Sequence, residues 1–238
     1  KWKERGIEIV NVILIDNPLA DPFDAELVGY HANTKADVTL KAILRRDEQE
    51  KVGVVGTLRG KVRVVEYTEL PENQKSARDV DGSLLWKVAN TSLFSFTMDF
   101  IESLTKNPQF YLPWHLAKKN AEVLQEKPEG VSREKTQVWK CETFIFDLLN
   151  FAKNTQVLLF PREEVYAPLK NAQGSDDLTS VQKALVEKER RIFQEITGKS
   201  APSDRKIELD QAFYYPTDEL LERWRGKAFP QDQEYLES

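Results

Sequence analysis

Asp16, Glu66 and Lys170 are the side chains whose types and settings could handle a phosphorylated ligand. Asp16 closes the apolar run Ile9-Val10-Asn11-Val12-Ile13-Leu14-Ile15 and is followed at once by Asn17-Pro18. In α/β proteins the end of such a strand opens into the crevice that takes ligands, and a carboxylate there can hold a divalent cation beside a phosphate. The same residue could instead cap a helix or turn the chain before Pro18. Glu66 lies in Val64-Val65-Glu66-Tyr67-Thr68-Glu69. A carboxylate among strand residues can accept hydrogen bonds from sugar hydroxyls, or merely face water. Lys170 lies in Ala167-Pro168-Leu169-Lys170-Asn171-Ala172, where Pro168 stiffens the loop and the ammonium is a point charge for phosphate or for solvent.

Other chemistries lack their residues. Two histidines, His31 and His115, and one cysteine, Cys141, do not supply a zinc site. Cys141 reads as a small residue in a half-buried strand before it reads as a nucleophile. The chain holds no G-x-S-x-G elbow and no G-x-G-x-x-G or G-x-x-x-x-G-K-[ST] loop, and its 10 glycines are unclustered. A net charge of −5 over 238 residues argues against nucleic acid or an anionic membrane as the main partner. No run of 18 apolar residues and no signal-peptide pattern is present, and a single cysteine suits a reducing cytoplasm.

These residues need a frame. Ile7–Ile15 reads as a strand buried on both faces, followed by a helix over Pro22–Asn33 with Asp21 as cap. Asp37–Leu44 alternates as a strand, and Val52–Leu58 with Lys61–Leu70 reads as a hairpin around Arg59-Gly60. Pro71–Arg78 suits a short helix, Ser83–Phe96 is apolar, and Thr97–Thr105 has helical spacing. Trp114–Arg133 reads as a surface excursion, Thr136–Cys141 as a strand, and Glu142–Lys153 as the clearest helix. Val157–Phe160 is a strand, Leu178–Thr197 a long amphipathic helix, and Gly198–Asp204 a linker to a tail with a short helix near Thr217–Arg225. Strands alternating with helices, interrupted by a hairpin, predict an α/β fold with a mixed sheet flanked by helices and a short, mostly helical tail. The expected division is residues 1–198 and 199–238.

Five blocks, taken together, resemble the uridylyltransferase family of UDP-N-acetylhexosamine and UDP-sugar pyrophosphorylases. They are Asp16-Asn17, Lys51-Val52-Gly53-Val54-Val55, Val64 through Glu69, Glu142-Thr143-Phe144-Ile145-Phe146-Asp147, and Arg162-Glu163-Glu164 through Pro168-Leu169-Lys170-Asn171-Ala172, all in family order. The Pro-Leu-Lys-Asn-Ala form resembles the UDP-N-acetylglucosamine branch more than the UDP-glucose branch. The resemblance implies a GT-A-like nucleotidyltransferase fold, of which this chain would be the C-terminal part. It implies attack by a sugar 1-phosphate on the α-phosphorus of UTP, giving a UDP-sugar and pyrophosphate. On that reading Asp16 holds Mg²⁺, Lys170 is the catalytic cation, and Asn17, Gly53, Glu66, Asn90, Phe144 and Phe146 line the substrate. Phe144 and Phe146 would pack near the N-acetyl group. Ala89 stands where the family usually has a glycine before the asparagine matched to Asn90.

The family's Gly-rich nucleotide loop has no counterpart here, and the only methionine is Met98. The expectation is a C-terminal fragment, inactive without its N-terminal half, with an uncovered sheet edge that favours self-association. A UDP-glucose-forming enzyme and a non-catalytic sugar-nucleotide-binding module are the rival readings.

Overall fold

The computed structural model describes residues 1–128 and 130–238. The expected surface excursion includes position 129, which lies outside the described residues. The chain divides into two compact units, Lys1–Val12 with Asp24–Leu159, and Ile13–Phe23 with Phe160–Ser238.

The first unit is built on a six-stranded mixed sheet. Its strands are β1 (Ile9–Val12), β2 (Val38–Leu44), β3 (Val54–Leu58), β4 (Lys61–Val65), β5 (Val88–Thr97) and β8 (Thr155–Leu159). The order is β4-β3-β5-β2-β8, with β1 also pairing β5. Only β2 and β8 run parallel. β2 is enclosed, with Val38, Leu40 and Ala42 fully buried, as expected of a strand with neighbours on both edges and cover on its faces. Its polar residues are buried with partners: Thr39 meets His31 Nδ1 at 2.8 Å and Lys41 pairs with Asp24. Asp24 also caps α1 (Ala25–Thr34) by accepting from the Leu27 N–H. Phe94 and Phe96 of β5 stack on each other, and Phe96 stacks on Phe100 of α3 (Met98–Thr105). A short helix, α2 (Glu72–Lys75), follows β4. Burying each of these rings contributes about 1.5–3 kcal/mol, so this aromatic ladder is a main source of the unit's stability.

Several sequence expectations change. The strand expected over Ile7–Ile15 is shorter and half-buried, and it pairs antiparallel with β5. Beyond Val12 the chain leaves the sheet, and Ile13, Leu14 and Ile15 are exposed. A continuous apolar run therefore did not mean burial on two faces. Most of the excursion expected over Trp114–Arg133 is β-structure: β6 (His115–Lys127) and β7 (Gly130–Glu142) form a separate two-stranded hairpin. Its half-buried face is carried by Ala117, Ala121 and Val123, while Leu116 and Leu124 are exposed beside Lys118, Asn120 and Glu122. Apolar residues thus stand on both faces, and no clean alternation marks a strand. Cys141 is in a strand, as expected, but exposed. The expected helix over Glu142–Lys153 is instead the end of β7 followed by a 3-10 helix, Ile145–Asn150. A three-residue repeat puts Phe146 and Leu149 on one buried face.

The second unit has its own core. Phe193 and Ile196 of α5 (Leu178–Thr197) pack with Ile207, Leu209, Phe213, Leu220, Phe229 and Leu236. The tail therefore folds onto α5 and does not separate after residue 198. Asp177 caps α5 by accepting from Ser180 N–H, and Gly198 ends it in the left-handed region at φ +71°. Before α5 stands α4 (Arg162–Val165); after it come β9 (Glu208–Leu209), α6 (Asp218–Trp224) and β10 (Tyr235–Leu236), with β9 and β10 parallel. No helix among the described residues is long and apolar enough to cross a membrane.

Candidate functional site

In the second unit, Asp16 and Asn17 are stitched to the loop that carries Lys170. The buried Asn17 amide donates to the Val165 carbonyl at 2.8 Å and accepts from the Ala167 N–H at 2.9 Å. Leu169 N–H donates to the Asp16 carbonyl at 2.7 Å. Asn17 thus spends both ends of its side chain holding this loop. Asp16 Oδ1 is buried and has no hydrogen-bond partner. A carboxylate oxygen shielded from water and without a donor is expensive unless something positive meets it.

The Lys170 ammonium donates to the Tyr166 hydroxyl at 2.9 Å and lies 5.4 Å from the centre of that ring. Tyr166 is itself buried. Withdrawal from water alone would lower the lysine's pKa. The Tyr166 hydroxyl and the carboxylates of Asp16 and Asp176 outweigh that effect and hold it above its ordinary value, so the ammonium stays charged. The Asp176 carbonyl accepts from the N–H groups of Lys170 and Asn171, which fixes the loop from its other end.

In the first unit, Gly53, Glu66 and Asn90 come together. Asn90 N–H donates to the Gly53 carbonyl at 2.8 Å. A Cβ on Gly53 would stand 3.1 Å from Val64 and 3.2 Å from Glu66 Oε1, so glycine lets the strand approach that carboxylate closely. Asn90 sits where the β2–β5 register shifts, next to Ser92 at φ +58°. Its Oδ1 accepts from the Ser92 N–H at 3.0 Å, which aims the amide from the bulge.

Phe144 and Phe146 stack with centroids 4.8 Å apart at 14°. Phe146 is buried and Phe144 half-buried. His115 lies edge-on to both rings, at 4.8 and 5.7 Å. Its Nδ1 is 2.7 Å from Glu69 Oε1 and its Nε2 is 2.8 Å from Asp147 Oδ2. Burial alone would lower the imidazole's pKa; the two carboxylates outweigh it and raise the group above its ordinary value. Sequence reasoning set His115 aside with the zinc question, and it passed over Tyr166. Glu69 and Asp147 stand inside blocks already singled out, but only the fold shows that they share one histidine. Among the described residues no three His, Cys, Asp or Glu side chains cluster as a metal site.

A family model described as UTP–glucose-1-phosphate uridylyltransferase matches residues 1–231. The chain belongs to this family. It is 31% identical over 224 residues to a Caenorhabditis elegans protein named "Probable UDP-N-acetylglucosamine pyrophosphorylase", covering 93% of this chain and 46% of that one. It is 35% identical over 174 residues to the human UDP-N-acetylhexosamine pyrophosphorylase-like protein 1, covering 73% and 34%. Among solved structures it resembles the Trypanosoma brucei uridine diphosphate N-acetylglucosamine pyrophosphorylase, with a TM-score of 0.68 and 26% identity over 82% of this chain and 38% of that one. The chain thus spans less than half the length of these relatives. The nucleotidyltransferase-type fold and the family expected from the five sequence blocks are both borne out.

Proposed function

We propose that the protein transfers a uridylyl group between UTP and N-acetylglucosamine 1-phosphate, forming UDP-N-acetylglucosamine and pyrophosphate. The observation that carries this reading is the buried, partnerless Oδ1 of Asp16, on a segment bonded directly to the loop of Lys170. One oxygen suited to a divalent cation and one lysine held charged are what a phosphoryl-transfer site requires of its protein.

The reaction joins the phosphate oxygen of the sugar 1-phosphate to the α-phosphorus of UTP. The bond from that phosphorus to the bridging oxygen breaks, and pyrophosphate leaves with the electron pair. Lys170 offsets charge on the sugar-linked phosphate, and Tyr166 holds its ammonium in place. Asn17 contributes by fixing the Asp16 segment against residues 165–167. Gly53, Glu66 and Asn90 bind the sugar: Glu66 accepts from hydroxyls and Gly53 gives them room. Phe144 and Phe146 offer an apolar face to the acetamido methyl.

Asp16 would hold Mg²⁺, its buried and unpartnered Oδ1 being an oxygen ligand of the kind that ion takes. When bound, the ion neutralises phosphate charge in the transition state. We place the activity in the cytoplasm, on the strength of the single unpaired cysteine.

Two measurements test the reading. Saturation-transfer NMR of this chain with UDP-N-acetylglucosamine should label the N-acetyl methyl and the sugar protons. The protein in its full encoded length should form UDP-N-acetylglucosamine, and the Asp16→Ala variant should not. Because the matched family model bears the glucose name, glucose 1-phosphate is the competing substrate. Faster turnover of it than of the N-acetyl sugar would move the assignment to a UDP-glucose-forming enzyme, and no turnover of either would leave a non-catalytic binding module.

A further inference from the structure

We infer that His115 is a positioning residue for sugar recognition, clamping the turn after Glu66 to the segment that carries Phe144 and Phe146. The inference rests on the uridylyltransferase reading above and adds a residue that neither motif nor resemblance singled out.

The clamp joins parts far apart in sequence. Glu69 N–H and Leu70 N–H both donate to the Glu66 carbonyl, so Glu69 and the sugar-binding Glu66 belong to one turn. Asp147 belongs to the 3-10 helix that follows Phe144, and its N–H donates to the Phe144 carbonyl at 3.1 Å. His115 reaches across 46 residues to Glu69 and 32 to Asp147. It therefore fixes the carboxylate side of the candidate sugar site relative to its aromatic side.

The geometry also sets the ring's charge. A carboxylate can only accept, so both ring nitrogens must donate, and an imidazole donates from both only as imidazolium. The charged groups around it are Glu69, Asp147 and its cross-strand partner Glu142, which is paired with Lys140 at 2.6 Å. On losing its proton the ring turns a lone pair toward one carboxylate, and one arm of the clamp releases. The stacked rings lie directly against the imidazolium, so their placement follows the clamp.

The test uses the full encoded protein with His115→Gln and Glu69→Gln. Each variant should raise KM for N-acetylglucosamine 1-phosphate about tenfold or more while leaving KM for UTP within about twofold. In the wild type, KM for UDP-N-acetylglucosamine in the reverse reaction should climb as pH rises through the imidazolium's pKa. That climb should be absent in His115→Gln, and the wild-type profile needs no variant to fold. Unchanged sugar KM values, equal losses for sugar and UTP, or a flat wild-type profile would overturn the clamp in an enzyme that still turns over. A wild type that turns over neither sugar phosphate overturns the functional reading and this inference with it.

Discussion

Leu169 donates its backbone N–H to the carbonyl of Asp16 at 2.7 Å. This bond and the two made by Asn17 tie the candidate metal carboxylate to the lysine loop through the main chain. Asn17→Ala should leave Val165 C=O and Ala167 N–H without their partner and cost about 2–4 kcal/mol. Urea unfolding followed by circular dichroism measures that loss.

Asp16→Ala should behave in the opposite way. Oδ1 has no partner to lose, and burying it unmet costs free energy, so the variant should be at least as stable as the wild type. Mg²⁺-dependent binding of UDP-sugar should disappear. A stable variant that still binds with Mg²⁺ would remove Asp16 from the site.

Tyr166→Phe keeps the ring beneath Lys170 and removes the hydroxyl that its ammonium donates to. The expected result is a fall of about tenfold in kcat in the full encoded protein, with the fold intact. Equal kcat values would show that the loop alone positions the lysine.

The two histidines should titrate on opposite sides of the ordinary value of 6.5. His115 is raised, so its contribution to stability is full below that value and is lost as pH rises through its folded pKa. His31 is fully buried and lowered by that burial, so its contribution is full above 6.5 and is lost as pH falls through its folded pKa. With only two histidines in the chain, their ring-proton NMR signals resolve both titrations, and His115→Gln should remove the upper one alone.

Gly56→Ala should destabilise the first unit, because the added Cβ would stand 2.4 Å from the Trp86 ring. Overpacking of this kind costs about 1–3 kcal/mol, read from the shift in thermal midpoint. A neutral result would mean that Trp86 can move off the strand.

Legibility in the sequence tracked how local each signal was. α5 was readable to the residue because its apolar face, its Asp177 cap and its Gly198 stop all lie within the segment. The β3–β4 hairpin was readable from Arg59-Gly60 between β-branched arms. The 3-10 helix after Phe144 was not, since its apolar residues fit two helical periods and only packing chose between them. For the site, motif order brought forward Gly53, Glu66 and Asn90, and the fold places those three together. The His115 bridge could not be read, because it depends on residues from three segments and no local pattern marks a histidine that will find two carboxylates.

The chain enters the second unit at Ile13, returns to the first at Asp24, and leaves it for good at Phe160. No single cut can therefore yield two intact halves. A truncation after Leu159 keeps Asp16 and discards Lys170, while a piece beginning at Phe160 keeps Lys170 without the segment Asn17 uses to hold its loop. Any single cut between residues 17 and 169 parts Asp16, the proposed cation carboxylate, from Lys170, the proposed phosphate-binding lysine. Expression boundaries, proteolytic nicks and gene fusions within this protein all have to respect that braid.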